Sequence, residues 1–262
     1  MLRRLLGCVC VGSALVAVPT RAGCPPAAQL ERAVRNLDLA RASRQARFES
    51  PLPGDLYGAA VRRVGRAVAA RDGDRAFGVL VVERPIELLW KALNDEDHHA
   101  LDGSYIPVLR SQVIDGTPRG ESRLLFQSFQ QAGIGRWWVS RVWMNRDLYA
   151  SSQGRMWELV WEDRMAEADT TKPPVSEVAS KLTGIQSSRG SWLLVPLAER
   201  CTLVEHFTWT DPGGFVGATQ WLLVKKAVRD TVEGVVRLAD DHVLALPHPG
   251  PPFVRPDGTP IE

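Results

Sequence analysis

The feature that most constrains this chain is residues 215–246, which read as one long amphipathic helix. Trp221, Val224, Val228, Val232, Val235 and Leu238 recur at the three-, four- and seven-residue spacing of a single helical face. Lys225, Lys226, Arg229, Asp230, Glu233 and Arg237 put charge on the remaining surface. Asp211-Pro212-Gly213-Gly214 breaks the chain before this segment, and Pro247 closes it. At 1.5 Å per residue the helix would reach about 45 Å. An apolar stripe of that length needs a broad partner, and the tryptophan-rich segments upstream supply one.

Those segments read as strands. Residues 65–70 and 75–83 are apolar runs joined by Arg71-Asp72-Gly73-Asp74, a hairpin signal. Arg84-Pro85 then opens a helical turn with Ile86, Leu89, Trp90 and Leu93 on one face, and a second short helix is expected after Asn94. Further strands are predicted at 108–114, 122–129, 136–149, 156–165, 190–197 and 201–210. In 156–165, Trp157, Leu159 and Trp161 alternate with Glu158 and Glu162. In 201–210, Leu203, Glu205, Phe207 and Trp209 share one face, with Thr202, His206 and Thr208 opposite, which predicts an exposed His206. Strand 136–149 is apolar on both faces, so its inward side is left open. Residues 166–188 read as a long polar insert, a flap or irregular loop.

The ends have their own signals. Met1-Leu2-Arg3-Arg4, an apolar run over 5–18 and Thr20-Arg21-Ala22 read as a secretory signal peptide over 1–22. Ala22-Gly23-Cys24 resembles the end of a lipobox, but Arg21 stands where that motif wants an aliphatic residue, so a soluble exported form is expected over an anchor at Cys24. Removing 1–22 takes three arginines and leaves about one net negative charge, evenly interspersed, which argues against a nucleic-acid partner. Cys24 and Cys201 then remain, free to pair or not in an oxidising compartment. Residues 23–60 read as a helical segment and linker, 61–246 as the main domain, and 247–262 as a proline-rich tail, extended or disordered.

A first strand, two short helices, antiparallel strands and a long last helix make an α+β helix-grip order. Val81-Val82-Glu83-Arg84-Pro85-Ile86-Glu87-Leu88-Leu89-Trp90, with Leu93, Asp95 and Tyr105-Ile106-Pro107-Val108, resembles the opening of the START-like superfamily. That superfamily includes bacterial polyketide cyclase/dehydrase-type and coenzyme Q-binding-type proteins. Gly190-Ser191-Trp192-Leu193-Leu194-Val195-Pro196 and Asp211-Pro212-Gly213-Gly214 extend the likeness over 61–246. The resemblance implies a curved antiparallel sheet around the last helix and a cavity of about 300–1,000 Å³ for a lipid, sterol, quinone or polyketide.

Candidate binding residues follow from the apolar strand faces and the helix stripe: Trp137, Arg141, Trp157, Leu159 and Trp161, then Glu205, Phe207, Trp209, Trp221 and Val228. Glu205, between Leu203 and Phe207, would be a buried carboxylate for which Arg141 is the expected partner. The sequence has no Gly-x-Ser-x-Gly, His-Glu-x-x-His or phosphate loop, and His98-His99 reads as a solvated helix end. No metal and no cofactor is expected. The reading is a hydrophobic-ligand carrier or sensor of the cell envelope, with membrane-surface contact for ligand exchange and no assignable oligomeric state. The alternative is a cyclase- or hydrolase-like enzyme using Glu205, Arg141 or Tyr149 as acid or base.

The mature chain is expected to begin at Gly23, or at a lipid-modified Cys24. N-terminal sequencing of protein from fractionated cells checks this, and full-length protein starting at Met1 in the cytoplasm would refute it.

Overall fold

The computed structural model describes residues 23–35, 37, 55–100, 106, 108–131, 134–211, 220–243 and 250–261. The leader, the 212–219 lead-in and the side chains of Trp221 and Val224 lie outside the described residues. Two helices precede the sheet, α1 (Ala27–Val34) and α2 (Leu56–Val61). The expected hairpin forms from β1 (Val68–Asp72) and β2 (Arg75–Val82), and Gly73 at its turn adopts φ of +60°, open to a residue without Cβ. The two short helices are α3 (Ile86–Leu93) and α4 (Glu96–His99).

Strands β3 (Arg110–Gly116), β4 (Ser122–Gln131) and β5 (Ile134–Met144) follow. The strand expected over 136–149 stops at Met144, because Asn145 caps a helix, α5 (Arg146–Ser151), accepting from the Leu148 amide at 3.1 Å. After β6 (Trp157–Asp163) the polar insert is structured. It holds α6 (Val175–Ala179) and β7 (Thr183–Gly184), and β8 (Ser187–Ala198) begins inside it. β9 (Cys201–Asp211) leads to the last helix, α7 (Gln220–Leu238), which runs on through a π-helical turn, Ala239–Val243.

The strands join in the order β1-β2-β9-β8-β6-β5-β4-β3, antiparallel throughout, with β7 added parallel to β5. The fold is α+β, an open antiparallel sheet gripping a C-terminal helix. Val228, Val232, Val235 and Leu238 of α7 are buried, as the stripe predicts. The closest approach is at Gly78 of β2, where a Cβ would stand 2.8 Å from Val228 Cγ1 and 2.9 Å from Val232 Cγ2.

Register sorts residues into rows across the sheet, since directly paired residues share a face. On the helix side one row reads Met144, Leu159, Trp192, His206, Gly78. The next reads Val142, Trp161, Gly190, Thr208, Ala76. The other face is also covered. Leu30, Val34, Tyr57 and Val61 of the N-terminal helices pack on Val79, Leu193, Leu203 and Phe207. Val175 and neighbouring residues of the insert pack on Leu124, Phe126, Trp137 and Val139. A disulfide between Cys24 and Cys201, Cα atoms 4.8 Å apart, ties the start of the N-terminal segment to the start of β9.

Residues 250–261 of the tail are packed on the core. Phe253 and Ile261 are buried in the helix-side core, Val254 pairs with Pro260, and Trp90 Nε1 donates to the Val254 carbonyl at 2.8 Å.

Gly78→Val inserts one branched carbon bearing two methyl groups where α7 meets the sheet. Despite valine's higher strand propensity, it should cost about 1–3 kcal/mol of stability, as overpacking does. Denaturant unfolding measures this, and an unchanged midpoint would remove Gly78 from the helix contact.

Candidate functional site

Between the sheet, α7 and the α3–α4 side lies a cavity of about 380 Å³. Its floor is the helix-side face of the strands: Leu125, Trp138, Ser140 and Val142 from β4–β5, and Leu159 and Trp161 from β6. Trp192 of β8 and His206, Thr208 and Thr210 of β9 continue it. Ala227 and Thr231 of α7 close one side, and Leu93, Glu96 and His99 another. The floor depends on Gly190. A Cβ there would sit 2.2 Å from Trp161 Cζ2, so only glycine lets the indole lie across β8.

That placement brings Trp161 to His206. The imidazole ring centroid is 5.4 Å from the Trp161 ring, stacked at 21°, and 4.1 Å from the Trp192 ring. His206 is 8% exposed, and burial pushes its pKa down to about 3, so the ring is neutral. Its Nδ1 is buried without a hydrogen-bond partner among the described residues, as is Ser140 Oγ. Beside them runs a line of hydroxyls. Trp161 Nε1 donates to Ser188 Oγ at 3.3 Å, Ser188 and Thr210 hydroxyls lie 3.3 Å apart, and those of Thr210 and Thr208 lie 3.1 Å apart.

The α4 wall carries the buried charge. Glu96 accepts from Arg123 Nε at 2.5 Å, and the same guanidinium donates to Asn94 Oδ1 at 2.8 Å and the Gly120 carbonyl at 2.8 Å. Arg123 is fully buried, so these bonds replace its hydration. His99 is not a solvated helix end. It is buried and its Nε2 donates to the Ala92 carbonyl at 2.9 Å, with burial lowering its pKa. His98 remains partly exposed beside Asp95, 2.8 Å away.

Of the sequence-derived candidates, Leu159 and Trp161 line the cavity. Trp157 is deeper in the same core, edge-on to Trp90 with centroids 5.5 Å apart, and Val228 is taken up by the contact at Gly78. Trp221 lies outside the described side chains. Trp137, Arg141, Glu205, Phe207 and Trp209 stand on the far face of the sheet. Trp137 packs under the insert, and Phe207 and Trp209 lie toward the N-terminal helices. Glu205, 1% exposed, accepts from Tyr57 Oη at 2.6 Å.

The expected Arg141–Glu205 pair does not form. Arg141 bonds Glu167 at 3.1 Å, and three strand steps, about 14 Å, separate β5 from β9. Tyr149 also lies away from the cavity, against Trp157 at 6.0 Å. His206, Trp192, Trp138 and Ser140 are among the cavity residues that the sequence reading did not select. The signal for His206 was the alternation in β9, read with its faces reversed, and β5, apolar on both faces, gave none for Trp138 and Ser140.

No family model matches this sequence, and no curated protein matches it. Solved structures do. Human StAR-related lipid transfer protein 5 is 11% identical over 80% of this chain and 98% of that one, with a TM-score of 0.51. Human STARD10 is 12% identical over 66% of this chain and 68% of that one, with a TM-score of 0.50. A STAR-related lipid transfer protein fragment from Xanthomonas axonopodis is 15% identical over 68% and 98%, with a TM-score of 0.49. The likeness to the two human structures establishes a START-like fold.

His206 should leave a mark on acid stability. An unfolded histidine takes its proton near pH 6.5, the native one only near 3. Between these values the unfolded chain binds the extra proton, so stability falls as pH falls. His206→Phe should therefore flatten the slope of unfolding free energy between pH 6 and 4, by up to about 1.4 kcal/mol per pH unit. Denaturant titrations of both proteins across that range provide the check.

Proposed function

We propose that this protein carries one compact hydrophobic molecule, of lipid, sterol, quinone or polyketide-like character, in the cavity between sheet and helix. The observation that carries the reading is the cavity of about 380 Å³, floored by Trp138, Trp161, Trp192, Val142 and Leu159. Its size lies low in the range typical of small-molecule sites, which favours a single chain or a compact ring system over a bulky two-chain lipid. The shared fold with human StAR-related lipid transfer protein 5 is consistent with this reading.

The cyclase- or hydrolase-like alternative loses its named acid and base groups, because Glu205, Arg141 and Tyr149 do not line the cavity. The proposed setting is the cell envelope, after export, with the ligand exchanged at a membrane surface. The Cys24–Cys201 disulfide supports an oxidising compartment. It also supports the soluble form, since a sulfur joined to Cys201 is not available for a thioether lipid.

Native mass spectrometry of protein purified from its own envelope should find a bound mass that organic extraction recovers unchanged. Ala227→Trp, which fills the cavity from α7, should remove that mass while leaving the melting temperature within a few degrees of wild type. Absence of bound mass in wild type, together with failure to take up added long-chain or polycyclic compounds, would refute the carrier reading.

A further inference from the structure

We propose that the cavity selects an uncharged ligand bearing a hydroxyl group, which hydrogen-bonds the imidazole of His206. This rests on the carrier reading above and specifies the polar end of its ligand. His206 lines the cavity, is more than nine-tenths buried, and holds a nitrogen, Nδ1, with no partner among the described residues. A buried polar nitrogen left unmatched is costly, and a ligand that matches it recovers that cost.

The surroundings decide the ligand's charge. His206 is framed by Trp192 and Gly78 in its own row and by Trp161 from the next. Its proton affinity is lowered by burial, with no charged group contributing. A carboxylate or phosphate placed here would lose its hydration and meet no cation, and an ammonium would meet no free anion, since Glu96, which also lines the cavity, is bound to Arg123. Arg136, a cation that also lines the cavity, stands eight residues along β5 from Met144, the β5 member of His206's row. That is about 26 Å of extended strand. Arg123 is committed to Glu96, Asn94 and the Gly120 carbonyl.

The surroundings also favour a hydroxyl over a carbonyl. A neutral imidazole has one bare nitrogen that accepts, and the nearby Thr208 offers a hydroxyl that can donate. A ligand hydroxyl serves both, donating to one and accepting from the other, whereas a carbonyl can only accept. Trp161 and Trp192 add flat apolar faces beside the same spot, suited to a ring that carries the hydroxyl.

Calorimetric titration with 2-naphthol, 2-methoxynaphthalene and 2-naphthoate tests this, because the three share a ring and differ in the polar group. In wild type, 2-naphthol should bind roughly threefold to tenfold more tightly than the methyl ether, and 2-naphthoate should bind weakest. In His206→Phe the naphthol advantage over the ether should vanish. His206→Gln, which keeps an acceptor, should retain part of the advantage. Equal binding of naphthol and ether in wild type would overturn the proposal and leave the carrier reading standing, as would tightest binding of naphthoate. No binding by any of the three would overturn both. The wild-type ranking decides even if a variant's melting curve shows that it does not fold.

Discussion

Val228 and Val232 press against β2 at Gly78, and the rest of the helix-side architecture depends on that contact. Nowhere else in β2 is the sheet without a side chain under the helix, so this is where α7 comes down onto the strand. Fixing the helix there sets how far Ala227 and Thr231 stand from the sheet farther along, where the cavity opens. A second anchor holds the same helix to the β1 end, where Glu233 accepts from the Ala67 amide at 3.1 Å. Farther toward its C-terminus, Arg84 binds Asp240 beyond the last regular turn of α7 at 2.5 Å. The cavity is therefore bounded by a helix held at three points, and its width is a property of β2 more than of its own walls.

A cavity on one face of a sheet leaves the side chains around it with fewer neighbours, and the dispersion attraction forgone there has to come from other parts of the fold. Here the opposite face is densely covered. The N-terminal helices lie over β2, β9 and β8, and the insert with α6 lies over β4 and β5. The disulfide adds a covalent tie across 177 residues of sequence, closing a long loop in the unfolded chain. The helices α1 and α2, whose role could not be read from the sequence, are a cover for the back of the sheet.

This also explains where sequence reading succeeded and where it failed. The long stripe, the hairpin at Gly73 and the order of elements were legible because each has a local physical cause: periodicity, turn chemistry or a helix break. Alternation in β9 was legible too, and it divided Leu203, Glu205, Phe207 and Trp209 correctly from His206 and Thr208. Assigning the apolar set to the ligand side assumed that the other side faces water. That holds for a sheet with one solvated face and fails when both faces are buried. The neutral His206 and the threonines belong to the cavity because its floor is partly polar, whereas the back of the sheet is a packed core. Trp161 was found because β6 alternates against glutamates. The role of Gly190 in freeing it was not, since close approach across strands leaves no mark in a single sequence.

When both faces of a sheet are buried, hydrophobicity no longer distinguishes the correct strand register from one slipped by a single residue. The buried polar groups can. Arg123 on one face finds Glu96 of α4, while Glu205 on the other finds Tyr57 of α2, and Glu158 finds Asn145 at 2.6 Å. A one-residue slip would swing each to the wrong side and strand it without its partner. For Arg123 and Glu96 that would break a buried ion pair, at about 3–5 kcal/mol. These groups act as keys for pairing: they add little to the depth of the native minimum, and they raise the energy of its nearest misaligned competitors.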